Sequence, residues 1–142
     1  MDWEPRIGEV VPYSFLWAHE SALGEDAGRK LRPCVVVIAV RRIGGDALRV
    51  AVAPITTQSQ PRRQLVEMPP NTKRHLGLDS RRSWIVCDEI NQFEWPGFDL
   101  GRTPTGMPSY GFLPPALLKD VRDALAASHA RGGLISTNRD DA

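Results

Sequence analysis

Two short segments carry the side chains best suited to chemistry. Arg32 stands before the β-branched run PCVVVIAV, and Pro54-Ile55-Thr56-Thr57-Gln58-Ser59 closes the run LRVAVAP. Pro33 fixes its own φ and restricts Arg32 to extended geometry, so the guanidinium leaves the chain from a defined strand entry. If the two runs pair as a hairpin, the start of one lies beside the end of the other. Arg32 and Thr56 then become neighbours. A guanidinium offers a fork of donors matched to phosphate oxygens, and hydroxyls with backbone N–H groups add more. That equipment suits a phosphodiester. The same pair also fits a strand-end arginine capped by threonine side chains.

Charge adds to the phosphate reading. Between Arg62 and Arg82 six basic residues (Arg62, Arg63, Lys73, Arg74, Arg81, Arg82) face two acids, Glu67 and Asp79, a net +4. The whole chain is +1, so the remainder carries −3. A polyanion would find one attractive region on a mildly acidic body, although solvated loop charges give the same count. Other chemistries lack their residues. There is no Gly-rich phosphate loop, no GxSxG elbow and no HExxH. His19, His75 and His129 are scattered, and His129 fits the end of a helix as a dipole partner. Cys34 and Cys87 sit in apolar runs without a second Cys or His at metal-ligand spacing, which implies buried, reduced thiols and no metal site. No N-terminal signal pattern and no membrane-length apolar run is present, so a cytoplasmic protein is expected.

The elements that must hold these residues read as mainly β. A length of 142 residues suits one domain, and the expected boundary is 1–134, followed by a frayed tail over 135–142. Strands are expected over Gly8–Phe15, with Pro12 at an edge or bulge, over Pro33–Val40 and over Leu48–Pro54. Gly44-Gly45 marks the hairpin turn between the last two. In the returning strand Leu48, Val50 and Val52 alternate with Arg49, Ala51 and Ala53, giving one apolar face. Gln64–Met68 is a further short strand. Ser83–Cys87 and Ile90–Trp95 are two more, or one bent strand. Loops are expected over Ala18–Leu31, Pro69–Arg82 and the proline- and glycine-rich Pro96–Tyr110. Pro114–Ala130 is the one good helix, opened by prolines and closed by Gly132-Gly133. This order excludes a βαβ fold. It implies a small, strongly bent antiparallel sheet or partial barrel with a C-terminal helix.

Gly8-Glu9-Val10, the loop with Glu25-Asp26-Ala27-Gly28, Arg32-Pro33 and Pro54-x-Thr56-Thr57-Gln58-Ser59 follow one another in an order that resembles the MazF/PemK toxin family. Cys87-Asp88-Glu89-Ile90 with Asn91-Gln92-Phe93 is similar to its later strand, and Gly111-Phe112-Leu113 leading into Pro115–Val121 to its closing helix. The likeness runs from about Ile7 to Ala127. It implies an SH3-like barrel, a homodimer, an antitoxin partner, and metal-independent cutting of single-stranded RNA with no cofactor. Carried over residue by residue, the family's catalytic arginine falls on Arg32, its catalytic threonine on Thr56 and its first-loop acid on Glu25. Of the Arg-x-Asp pair that some relatives carry in the later strand, Asp88 is present and position 86 is valine. Thr57, Gln58, Ser59, Arg62 and Arg63 are the further expected RNA contacts.

The reaction implied is transesterification. The ribose 2′-hydroxyl attacks its own 3′-phosphate, expels the 5′-oxygen and leaves a 2′,3′-cyclic phosphate. Arg32 then serves the phosphate and the proton transfer, and Thr56 supplies a supporting hydrogen bond. Trp17, Phe93 and Trp95 are candidates to stack on unpaired bases. Two alternatives remain open. One is a CcdB-like inhibitor that poisons gyrase by contact; the other is a catalytically inactive relative that only regulates transcription with its antitoxin.

Overall fold

The β-branched run after Arg32 forms the longest strand of the protein. In the computed structural model, which describes residues 3–22, 30–96 and 100–140, the first strand is β1 (Glu9–Tyr13). It is followed by helix α1 (Ala18–Ala22), strand β2 (Arg32–Arg41) and strand β3 (Leu48–Thr56). β2 and β3 are antiparallel, with Cys34 opposite Pro54, Val36 opposite Val52 and Arg41 opposite Leu48. One extra residue at Val37 makes a bulge, after which the pairing resumes at Ile38–Ala51. The turn between them runs through Gly44, whose φ of 80° is the left-handed conformation glycine adopts without strain.

β3 is the axis of the sheet because it has more than two partners. Its first half, Leu48–Val52, pairs with β6 (Glu89–Trp95), whereas Ile55 and Thr56 pair with β5 (Trp84–Val86). Beyond β5 lies β4 (Leu65–Glu67). On the other side β2 pairs with β1, and β1 with β7 (Gly111–Phe112). The sheet forks and bends, and among the described residues it does not close on itself. The bent antiparallel sheet is the form present, with a late helix, α3 (Pro115–Ala130).

Both faces of β3 are covered, which corrects the expectation of a single apolar face. Ala51, Ala53 and Ile55 belong to a core with Val35, Ile85 and the α3 residues Leu117, Val121 and Leu125. Val50 and Val52 join Tyr13, Phe15, Trp17, Cys34, Val86 and Phe93 in a second core on the opposite side. The alanines are small enough for α3 to pack on them, so their face is apolar in fact although its alternation with β-branched residues made it read as the weaker side.

Four expectations are corrected. Ala18–Ala22 is the short helix α1, where a loop was expected. Pro69–Arg82 contains the helix α2 (Pro70–Leu76), opened by Pro69-Pro70 and closed by Gly77 at φ 71°. The tail is not frayed at 135–138: β8 (Ile135–Asn138) pairs in parallel with β6, and the Arg139 guanidinium donates to the Ser14 carbonyl at 2.6 Å. Pro12 lies inside β1 and is buried, yet β7 reaches only Glu9 and Val10, so its missing N–H costs no bond on that side. β5 and β6 are separate strands. No helix among the described residues is long and apolar enough to cross a membrane.

Candidate active site

At the end of the β2–β3 hairpin the sheet opens into two diverging edges, and the candidate residues gather there. The β2–β3 ladder ends at Cys34–Pro54; two residues beyond it Arg32 pairs with Tyr13 of β1 and Thr56 with Trp84 of β5, so both stand at the same end of the hairpin. Arg32 is half-buried, and its guanidinium carbon lies 5.5 Å from the centroid of the Trp17 ring. Its Nε is buried and has no hydrogen-bond partner among the described residues. A buried donor left open in this way is uncommon in a native protein.

Thr56 is placed differently from its neighbours. It is only 5% exposed, and its Oγ1 accepts the backbone N–H of Gln58 at 3.1 Å. The hydroxyl thereby shapes the turn that projects Thr57, Gln58 and Ser59, all exposed. Arg32 and Thr57 line one cavity of about 440 Å³, shared with Lys30, Lys73, Arg81 and Ser83. Four cations around one hollow, with Asp79 as its acid, give it a positive field.

Most of the basic segment is internally paired. The Arg63 guanidinium donates to Asp88 and to Glu89, each at 2.9 Å, and lies 5.6 Å from the same Trp17 ring. Burial works against its charge, but the bonds to Glu89 and Asp88 outweigh burial and raise its pKa above the ordinary arginine value. Glu89, 2% exposed, also accepts the N–H of Ala18 at 2.6 Å. This ties the Trp17 segment to the head of β6. Lys73 is buried; its ammonium contacts Asp79 at 3.4 Å and the carbonyl of Arg81. Arg82 pairs with Glu67 at 2.8 Å. Hydrogen bonds from Arg81 hold the Asp79 carboxyl at about 2, well below its usual range. Arg62 is exposed. The +4 segment is therefore much less free than its count suggests.

Of the expected residues, Arg32 and Thr57 line the cavity, whereas Thr56 is buried at the same hairpin end with its hydroxyl on the Gln58 N–H, and Gln58 and Ser59 are exposed beyond it. Arg63 and Asp88 form a separate ion pair that reaches Arg32 through Trp17. Glu25 lies outside the described residues. The aromatic expectations change. Phe93 is a core residue stacked on Tyr13 at 5.0 Å, and Trp95 is half-buried with Trp3 edge-on at 6.4 Å. Trp17 is buried against Phe15 and serves as a platform for guanidinium groups. Sequence reasoning missed Lys73 and Ser83 as cavity residues. The Pro-Pro and Gly caps of α2 were the available signal for Lys73; nothing local marked Ser83. Cys34 and Cys87 are free and buried. Burial pushes both thiols up, Cys87 to about 12. No group of three or more His, Cys, Asp or Glu side chains gathers as a metal site among the described residues.

A family model described as PemK-like, MazF-like toxin of type II toxin-antitoxin system matches residues 15–129. No curated protein matches the chain. The matched span covers β2, β3, the cavity and nearly all of α3. The chain belongs to this toxin family.

Proposed function

We propose that this chain is an endoribonuclease that cuts single-stranded RNA without a metal and is neutralised by an antitoxin protein. The 2′-hydroxyl of one ribose forms a bond to the adjoining phosphorus. The bond from phosphorus to the 5′-oxygen breaks, the 2′ proton is lost, and a proton reaches the leaving oxygen. The products are a 2′,3′-cyclic phosphate and a 5′-hydroxyl. Because the nucleophile belongs to the RNA, the protein needs donors for the phosphoryl oxygens and a groove for the strand.

One observation carries this reading. Arg32 stands half-buried at a cation-lined cavity against the Trp17 ring, with an Nε donor that has no partner among the described residues. A guanidinium kept in place and short of a partner is a preorganised receiver for negative charge. Thr56, locked in its turn by the Gln58 N–H, supports the loop whose Thr57 lines the same hollow. The positive field of the four cations around the cavity supports the reading of a phosphate chain as the ligand.

Arg32→Ala is expected to lower the cleavage rate by about 10²–10³, the usual cost of one preorganised donor, and to leave the fold intact. The test is incubation of purified protein with a mixed-sequence RNA in excess EDTA. Cutting by the wild type and near-silence of Arg32→Ala support the proposal. Intact RNA together with inhibition of gyrase would replace it with a contact inhibitor.

A further inference from the structure

Arg32 is flanked by two residues that are themselves held from a distance. Tyr13 is its partner across β1 and β2, and the Trp17 ring lies against its guanidinium. From Tyr13 to α1 the chain runs Ser14-Phe15-Leu16-Trp17 outside any strand or helix, so no ladder fixes it. Side chains of β6 hold it instead. Asn91, fully buried, bonds both backbone groups of Leu16: its Oδ1 accepts the N–H and its Nδ2 donates to the carbonyl, each at 2.9 Å. Glu89 accepts the Ala18 N–H at 2.6 Å. Trp17 is thus pinned on both sides, from alternate positions on one face of β6.

The last hold comes from beyond α3. β8 lies along β6, and Arg139 follows it, its N–H donating to the Gln92 carbonyl at 2.8 Å. The Arg139 side chain is half-buried. Its Nη1 donates to the Ser14 carbonyl at 2.6 Å and stands 3.2 Å from both Asn91 Oδ1 and the Tyr13 hydroxyl. Its guanidinium carbon lies 5.6 Å from the centroid of the Tyr13 ring. One charged nitrogen therefore joins the strand partner of Arg32, the irregular segment and the amide that orients Leu16. Bonds from a charged donor are stronger than neutral ones. The family match covers residues 15–129, so Arg139 lies outside the matched span.

We propose that Arg139 is a positioning residue for Arg32: through Tyr13 and the Asn91-held segment it sets the Trp17 ring, and so the aim of the guanidinium. The inference rests on the nuclease reading above and adds to it a residue that touches no substrate. A catalytic group displaced by about 1 Å through a remote change can cost about 10²-fold in rate. RNA affinity, which draws on the other cations of the cavity, changes far less.

The experiment compares the wild type, Arg139→Ala, Arg139→Lys and Val121→Ala as full chains, at a temperature where each is folded. Val121 packs in the core on the opposite side of β3 from Tyr13 and Trp17, so Val121→Ala lowers stability without touching their segment. The first reading is the ¹⁵N–¹H signal of Arg32 Nε–H in the RNA-free protein, assigned by its loss in Arg32→Ala and displaced by the Trp17 ring current. The second is the cleavage rate at saturating RNA, taken together with KM. Arg139→Ala should move the Arg32 signal toward that of a solvent-exposed arginine and lower kcat about ten- to a hundredfold, with KM changed less than about twofold. Arg139→Lys, whose ammonium carries three protons on one nitrogen, should recover part of both. Val121→Ala should leave both at the wild-type value. An unmoved Arg32 signal in Arg139→Ala overturns the proposal, whether or not RNA is cut. Equal losses of rate in Arg139→Ala and Val121→Ala overturn it too, since stability would then explain them. A moved signal with RNA left intact by the wild type overturns the nuclease and leaves Arg139 as the residue that places Arg32.

Discussion

Among the described residues Arg32 is flanked by the Trp17 ring and by no acid, and that arrangement has consequences. An acidic partner would spend the charge that a phosphate needs; an aromatic ring orients the guanidinium and leaves its donors open. Trp17→Leu, which keeps apolar volume but removes the ring face, should therefore slow cleavage more than it weakens RNA binding, with Trp17→Phe recovering part of the rate. Equal losses in both steps would mean that the ring merely supports the fold. Protonation gives a second check at this scale. Asp79 titrates at about 2 in the folded chain because Arg81 bonds its charged form. An ordinary aspartate titrates near 3.9, so the unfolded chain takes up this proton first. The stabilisation is complete above that value and is lost as pH falls toward 2. Melting curves from pH 5 to pH 2 should show Asp79→Asn and wild type converging as the acid limit is reached. The thiols test burial. Cys34 and Cys87 should react slowly with a disulfide reagent at pH 8 until the protein is unfolded.

At the level of elements, α2 and β8 do work that their composition conceals. α2 carries Lys73 to the cavity and ends at Gly77 with φ 71°. Gly77→Ala forces a side chain into the left-handed region and should cost about 1–2 kcal/mol, read as a lower denaturant midpoint. β8 docks on β6, and the Arg139 guanidinium after it bonds the Ser14 carbonyl and the Asn91 side chain. Arg139→Ala should cost about 1.5–3 kcal/mol, as loss of a hydrogen-bonded charge does. A truly frayed tail would tolerate the change without any shift in melting. The physics of legibility follows from these two elements. The hairpin of β2 and β3 was readable because its β-branched runs and Gly-Gly turn are local signals. α2 is seven residues long with no apolar stripe, so only its caps spoke for it. β8 is polar and pairs in parallel with a strand more than forty residues away, a contact no local pattern records. Arg32 and Thr56 were brought to one end of the hairpin by its pairing, whereas the lack of a partner at the buried Arg32 Nε and Ser83 Oγ among the described residues depends on what surrounds them in space and left no trace in the spacing.

For the whole molecule the net charge of +1 conceals a division of labour. The paired cations Arg63, Arg81 and Arg82 brace loops, and Lys30, Arg32 and Arg62 have no acid partner among the described residues. If two or three phosphates are neutralised, binding of a short single-stranded RNA should weaken with salt at a log–log slope of about −1.4 to −2.1. A steeper dependence would mean that the braced cations also release their acids to bind RNA. The central claim concerns bond chemistry, and mass spectrometry of the RNA ends examines it most directly. Fragments made by the wild type in EDTA should end in 2′,3′-cyclic phosphates and begin with 5′-hydroxyls, and Arg32→Ala should yield about a hundredfold fewer of them. Fragments with 3′-hydroxyl and 5′-phosphate ends, or equal yields from the two proteins, would contradict it.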